Sequence, residues 1–92
     1  MRSLTLYVAG DNAYSRQAQA NLHAIIAASG VQVAVSVIDV LKHPELTLQK
    51  RIFTTPALIV TNDGGAESLI IGDLSEREKV ARMLFDSRAG PL

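Results

Sequence analysis

The 92-residue chain contains no cysteine and no tryptophan, and aromatic residues make up only 4% of it. Without cysteine, the chain cannot form a disulfide, a thiolate zinc site, an iron–sulfur cluster or a redox-active dithiol. An excess of either charge is also missing, because 9 Lys and Arg balance 9 Asp and Glu. Proteins attract nucleic acid and acidic membranes through clustered basic groups. We therefore expect neither a nucleic-acid partner nor a membrane partner.

Long hydrophobic runs are absent as well. No stretch approaches the ~20 apolar residues that cross a bilayer. The apolar run from Leu4 to Gly10 is too short for a signal peptide, so we expect a cytoplasmic protein. The chain is nevertheless 48% hydrophobic. In a small neutral chain, this content indicates that a partner or other copies of the chain cover part of the apolar surface.

The length supports one domain. No repeat, linker or low-complexity tract divides the chain, so we assign residues 1–92 to a single domain with an ordered core at about residues 4–86. The segment from Ser87 to Leu92 has no periodicity and is expected to be frayed.

The N-terminal half predicts a strand, a helix and a second strand. Apolar and polar residues alternate from Leu4 to Val8, which is typical of a strand. Ser15 is the expected N-cap of a helix with an apolar stripe, and Gly30 is its expected C-terminal stop. The run from Val31 to Val40 is small or β-branched and apolar on both faces, which predicts a parallel strand covered by helices.

A short helix and a hairpin are predicted next. His43–Glu45 is typical of a helix start with proline at the first helical position, and Leu46 and Ile52 are expected to face the core. Thr54–Pro56 must end this helix, because the residue before a proline is pushed into extended geometry. Asn62–Gly65 then separates two apolar runs and predicts a β-hairpin turn.

The last predicted element is a helix that opens with a capping box of Ser75 and Glu78 and buries Val80 and Leu84. The complete order is strand, helix, strand, helix, strand, strand, helix. This βαβαββα order is that of an α/β, thioredoxin-like fold. A proline typically precedes the third strand of that fold, and Pro56 occupies this position.

Few residues are candidates for chemistry. His23 and His43 have no metal-ligand pattern around them and are expected on the surface, and Ser15 has no partner histidine at a recognisable spacing. Asp11–Ser15 occupies the place where thioredoxins carry their dithiol, so thiol–disulfide exchange is excluded. A relic that binds glutathione through backbone groups beside the proline, with Tyr14 or Ser15 touching the sulfur, stays open. We expect no catalytic residue, metal or cofactor.

Several segments, taken in order, resemble the KaiB family, small proteins of the bacterial circadian clock. The resemblance covers Leu4 to Leu84, and the sensory domain of the clock-output histidine kinase SasA is related. The segments are Leu6–Gly10, Val37–Lys42 with Pro44, Thr55–Pro56, Ile70–Ser75 and Arg77–Val80. The sequence departs from the family between the first strand and the first helix, where Ala13–Tyr14 occupies or lies close to the position of the family's Thr-Pro.

The resemblance implies a non-enzymatic regulator that binds the first ATPase ring of a KaiC-like ATPase. Proteins of this family rest as homo-oligomers, a dimer or tetramer, in a different fold of order βαββααβ. They bind their partner as monomers in the thioredoxin-like fold. The resemblance assigns the fold-switch pair to Gly72 and Asp73.

The resemblance also implies binding residues. Arg51 matches a basic residue that would reach acidic groups on the ATPase ring, and Ala34 and Ser36 match the edge where the cyanobacterial protein KaiA docks. The departures suggest a divergent member that works in a timing or stress-response system. The alternative is a cysteine-free thioredoxin-fold adaptor that docks on a histidine kinase or retains glutathione binding.

Overall fold

The computed structural model describes residues 2–85, in which the elements follow the predicted order. The tail from Ser87 to Leu92, predicted to be frayed, lies outside the described residues, as does Asp86 at the end of the expected core. The elements are β1 Ser3–Val8, α1 Ala13–Ser29, β2 Ala34–Asp39, α2 Pro44–Lys50, β3 Ala57–Thr61, β4 Glu67–Ile71 and α3 Arg77–Phe85.

The four strands form one mixed sheet in the order β2-β1-β3-β4. Strand β1 pairs in parallel with β2, from Ser3 opposite Ala34 to Val8 opposite Asp39. Strand β3 is antiparallel to both β1 and β4. The two central strands are therefore mostly buried, whereas β2 and β4 are edges.

The sheet separates two apolar clusters of unequal size. Helices α1 and α3 cover one face, and α2 with the segment after it covers the other. Leu46 and Ile52 pack in the smaller cluster, as the sequence predicts. The buried members of the larger cluster are Leu4, Leu6, Val8, Ala18, Leu22, Ile25, Leu58, Val60, Leu74, Val80 and Leu84.

Helix α1 begins earlier than the sequence predicts. Its N-cap is Asn12, whose side-chain oxygen accepts a hydrogen bond from Ser15 N at 2.9 Å, so the prediction that Ser15 is the cap is wrong. Ser15 instead lies in the first helical turn, where 2% of it is exposed. The predicted stop is confirmed, since Gly30 ends the helix with a φ of 70°.

Strand β2 is shorter and more exposed than predicted. It spans Ala34–Asp39, and Val35 and Val37 are 44% and 48% exposed. The strand is parallel to β1, as expected, but the prediction that helices cover it is wrong. Because β2 is an edge strand, α1 covers its helix-facing side chains only in part.

The hairpin turn forms as predicted, whereas α3 begins later than predicted. Asn62 Oδ1 accepts hydrogen bonds from Gly64 N and Ala66 N, which fixes the predicted turn between β3 and β4. The prediction of a capping box at Ser75 and Glu78 is wrong, because α3 begins only at Arg77, two residues after Ser75. Val80 and Leu84 are buried as predicted. Among residues 2–85, no helix is both long and apolar enough to cross a membrane.

Candidate functional site

The predicted switch pair lies in the segment Gly72–Glu76 between β4 and α3, which we call the junction. Gly72 has a φ of 116° and Leu74 a φ of 63°, both in the region that L-residues rarely adopt. Such a conformation costs a leucine roughly 1–2 kcal/mol. Burial offsets this cost, because only 4% of Leu74 is exposed in the larger cluster. The junction is thus a strained segment held in place by its surroundings.

The requirement for glycine at position 72 is set by the backbone. A Cβ atom added to Gly72 would meet no atom of residues 2–85 within 4 Å, so only the φ of 116° disfavours another residue there. The amide N–H of Gly72 donates to the Pro56 carbonyl at 3.0 Å. The Thr55–Pro56 peptide bond is cis. The junction is therefore tied to the start of β3 through a backbone hydrogen bond.

Asn21 of α1 ties the same segment to the first helix. Its Nδ2 donates to the Asp73 carbonyl at 2.7 Å, and its Oδ1 accepts from Arg77 Nε at 2.9 Å. The amide of Gln17 also donates to this oxygen, at 3.4 Å. Asn21 is only 1% exposed, so this is a buried polar contact between α1, the junction and α3.

Sequence reasoning missed Asn21. The signal was present, because Asn21 lies three residues after Ala18 and four before Ile25, within the apolar stripe of the first helix. A polar residue in such a stripe needs a buried hydrogen-bond partner. The sequence alone does not say which one, since the partners are 52 and 56 residues away.

The Asp73 side chain makes a local contact. Its Oδ1 accepts from Ser75 N at 3.0 Å, which closes a turn before α3. Beside this turn, β4 and α3 border an open groove of about 460 Å³ that includes the half-exposed side chains of Leu69, Ile71 and Met83. The end of the sheet next to the junction therefore presents apolar surface.

Arg51 lies on the other face of the sheet, at the C-terminus of α2. It adopts a left-handed conformation with a φ of 55°, and it is exposed. Leu48 and Phe53 nearby in sequence are 77% and 82% exposed. The neighbouring Lys50 forms an ion pair with Glu67 at 3.3 Å. The predicted partner-binding arginine thus has exposed apolar residues three positions before it and two positions after it in the chain.

Ala34 and Ser36 lie on the outer edge of β2 and are exposed. Among residues 2–85, β2 pairs only with β1, so no described strand occupies its other side. Val35 and Val37 alternate with them and line a groove of about 350 Å³ against α1, together with Leu22 and other residues. This edge can accept an extended segment through backbone hydrogen bonds.

The region that corresponds to the thioredoxin dithiol is organised by Asp39. Its carboxylate accepts hydrogen bonds from Gly10 N and Leu41 N, each at 3.0 Å. The bond from Gly10, followed by that from Leu41, lowers the pKa of Asp39 below its ordinary value. Tyr14 is exposed, whereas Ser15 is buried. The idea that the Ser15 hydroxyl touches a glutathione sulfur is therefore wrong.

The histidines lie where the sequence predicts them. His23 and His43 are both exposed. In the part of the chain that the structure describes, no cluster of three His, Cys, Asp or Glu residues could hold a metal ion.

Comparisons with known proteins agree with this geometry. Among solved structures, mitochondrial thioredoxin 3 from Saccharomyces cerevisiae matches with a TM-score of 0.76 at 19% identity, covering 92% of this chain and 77% of that one. The N-terminal domain of Synechococcus elongatus SasA matches with a TM-score of 0.74 at 25% identity, covering 99% and 89%. The predicted thioredoxin-like fold is thereby confirmed.

Sequence relatives identify the family. The circadian clock protein KaiB3 of Synechocystis is 40% identical over 78 residues, which are 84% of this chain and 76% of the relative. The circadian clock oscillator protein KaiB of Gloeothece citriformis is 44% identical over 84% of this chain and 73% of its own length. The KaiB domain family model matches residues 5–85. The chain therefore belongs to the KaiB family of circadian clock proteins.

Proposed function

We propose that this chain is a non-enzymatic regulator that binds the first ATPase ring of a KaiC-like ATPase in a circadian, timing or stress-response system. The observation that carries the proposal is the KaiB match over residues 5–85. The chemistry of the fold is consistent with it, because a thioredoxin-like domain without cysteine has no thiol–disulfide exchange to perform.

The regulator acts by changing fold. At rest it is a dimer or tetramer with the order βαββααβ, and it binds the ring as a monomer in the thioredoxin-like form. Two folds of one sequence coexist only when they differ by a few kcal/mol. The strained φ of Leu74 supports a switch at the junction, because a second fold can release that strain, whereas Gly72 adopts its positive φ at little cost.

The surface around Arg51 docks on the ATPase ring. The guanidinium group pairs with acidic groups of the ring, and the exposed Leu48 and Phe53 supply apolar contact area. The open edge of β2 at Ala34 and Ser36 is a separate place where a KaiA-type partner adds a strand.

A second candidate function is an adaptor that docks on a histidine kinase. The likeness to the N-terminal domain of SasA, which extends over 99% of this chain, favours this alternative over a glutathione-binding relic. It differs from the first proposal in its partner, because an adaptor of this kind binds a kinase tightly and leaves the ATPase unbound.

The test is size-exclusion chromatography with light scattering. The chain is run alone, with the KaiC-like ATPase of the same organism and ATP, and with the histidine kinase of that organism. We expect a dimer or tetramer that dissociates and elutes with the ATPase ring. No complex with the ATPase at high concentration would overturn the regulator, and a kinase complex in the same series would establish the adaptor.

A further inference from the structure

The buried amide of Asn21 has no role in the binding surfaces around Arg51 and β2. A leucine or alanine would pack in the apolar stripe of α1 without the cost of desolvating an amide. The cost is met here by hydrogen bonds to Asp73 and Arg77, at 2.7 and 2.9 Å. The side chain therefore fits this arrangement of the C-terminal half and would lose its partners in another.

Both partners lie in the part of the chain that the proposed switch rearranges. Asp73 O belongs to the junction, between the left-handed residues Gly72 and Leu74. Arg77 is the first residue of α3, where the helix dipole disfavours a cation. The hydrogen bond that Arg77 donates to Asn21 offsets this unfavourable interaction with the helix dipole, since a hydrogen bond from a charged donor is stronger than one between neutral groups. Asn21 thus stabilises the backbone of the strained junction, through the Asp73 carbonyl, and the cation of Arg77 at the start of α3.

We propose that Asn21 is a clamp on the junction, which raises the population of the thioredoxin-like form by holding the Asp73 carbonyl and the Arg77 guanidinium. The clamp rests on the proposed function, because it sets the balance of that switch. A contact shifts an equilibrium only if it differs between the two states. The clamp meets this condition, since α1 is kept in both folds while the junction and α3 change.

The test uses two readouts on matched variants. Asn21→Ala removes the whole clamp, whereas Asn21→Asp keeps an oxygen for Arg77 and sets a second oxygen against the Asp73 carbonyl. Gln17→Ala is the control, because Gln17 is exposed on the same helix and reaches Asn21 only at 3.4 Å. If Asn21→Ala fails to fold, Arg77→Ala removes one half of the clamp from an exposed position.

The first readout is hydrogen exchange of the junction amides in the thioredoxin-like monomer. We expect Gly72 N and Ser75 N to exchange about tenfold faster in both Asn21 variants, because an unsatisfied buried group favours local opening. Amides of β1 should keep their rates, and Gln17→Ala should match the original chain. Equal acceleration in β1 and the junction, or none in either, would overturn the clamp.

The second readout is the apparent affinity for the ATPase ring. We expect Asn21→Ala and Asn21→Asp to bind about tenfold more weakly when the binding form is the minor one, because apparent affinity scales with the competent fraction. If Gly72→Ala weakens binding but the Asn21 variants do not, the clamp is wrong and the switch stands. If the original chain binds no ring, the proposed function fails, and the exchange rates alone decide whether Asn21 holds the junction.

Discussion

Replacing Gly72 with alanine tests whether the junction controls the balance between two folds. Among the described residues, no neighbouring atom lies within 4 Å of the added Cβ, so the substitution creates no clash with them. Its cost arises from the backbone, because the φ of Gly72 is 116° and an L-residue is strained there. Strain of this kind costs about 1–3 kcal/mol. Alanine also reduces the entropy of the unfolded chain, but that effect is shared by both folds and cancels in their ratio.

The population of the thioredoxin-like form should fall by a factor of about 5 to 150, the equivalent of that free energy. If this form is the minor one at rest, the whole factor appears as a weaker apparent affinity for the ATPase ring. If it is the major one, the change appears first as a shift to larger oligomers. Titration of the ring and light scattering of the free chain measure the two effects.

Gly30→Ala is the matched control. Gly30 has a φ of 70°, and an added Cβ would meet no atom of residues 2–85 within 4 Å, but Gly30 ends α1 in the half that both folds keep. It should lower the free energy of unfolding without changing the oligomer or the affinity. The reasoning would be refuted if Gly72→Ala left affinity and oligomer size unchanged, or if both variants changed them equally.

Three further outcomes are expected. Arg51→Ala should weaken binding to the ATPase ring by about 0.2–1 kcal/mol in a titration, the range for an exposed ion pair, whereas an arginine outside the interface would leave the affinity unchanged. Hydrogen exchange should be fastest, among the helices of residues 2–85, in α2 (Pro44–Lys50), because none of its residues is buried. The folded pKa of Asp39 is lowered, so its contribution to stability is present above the unfolded value and is lost as the pH falls below about 4. Urea titrations across that range should show this loss, and Asp39→Asn should reduce it; an identical pH profile in the variant would contradict the assignment.

Much of the fold follows from local sequence signals. Four of these signals act over a few residues, and the structure contains all four features. They are the alternation in β1, the stop at Gly30, Pro44 at the start of α2 and the Asn62–Gly65 turn. The two errors at helix starts have a common cause. At each helix start, a side chain upstream accepts from the backbone N–H of the expected cap: Asn12 from Ser15 N at α1, and Asp73 from Ser75 N before α3.

Long-range features escaped sequence reasoning. The exposure of β2 depends on its place at the sheet edge, which the apolar character of Val35 and Val37 does not report. The role of Asn21 depends on contacts more than fifty residues away. Sequence resemblance assigns a role to Gly72 and Asp73, but the positive φ of Gly72, its hydrogen bond to Pro56 and the bond from Asn21 to Asp73 are known only from the fold. The binding roles of Arg51, Ala34 and Ser36 stay predictions.

The most direct test of the account is the backbone chemical shifts of β3, β4 and α3 in the free chain and in the chain bound to the ATPase ring. In the bound state, we expect strand shifts in Ala57–Thr61 and Glu67–Ile71 and helical shifts in Arg77–Phe85. In the resting oligomer, the pattern should invert, with helical shifts in the hairpin and strand shifts in α3. The same pattern in both states would contradict a change of fold, and helical hairpin shifts on the ring would contradict the thioredoxin-like form as the one that binds.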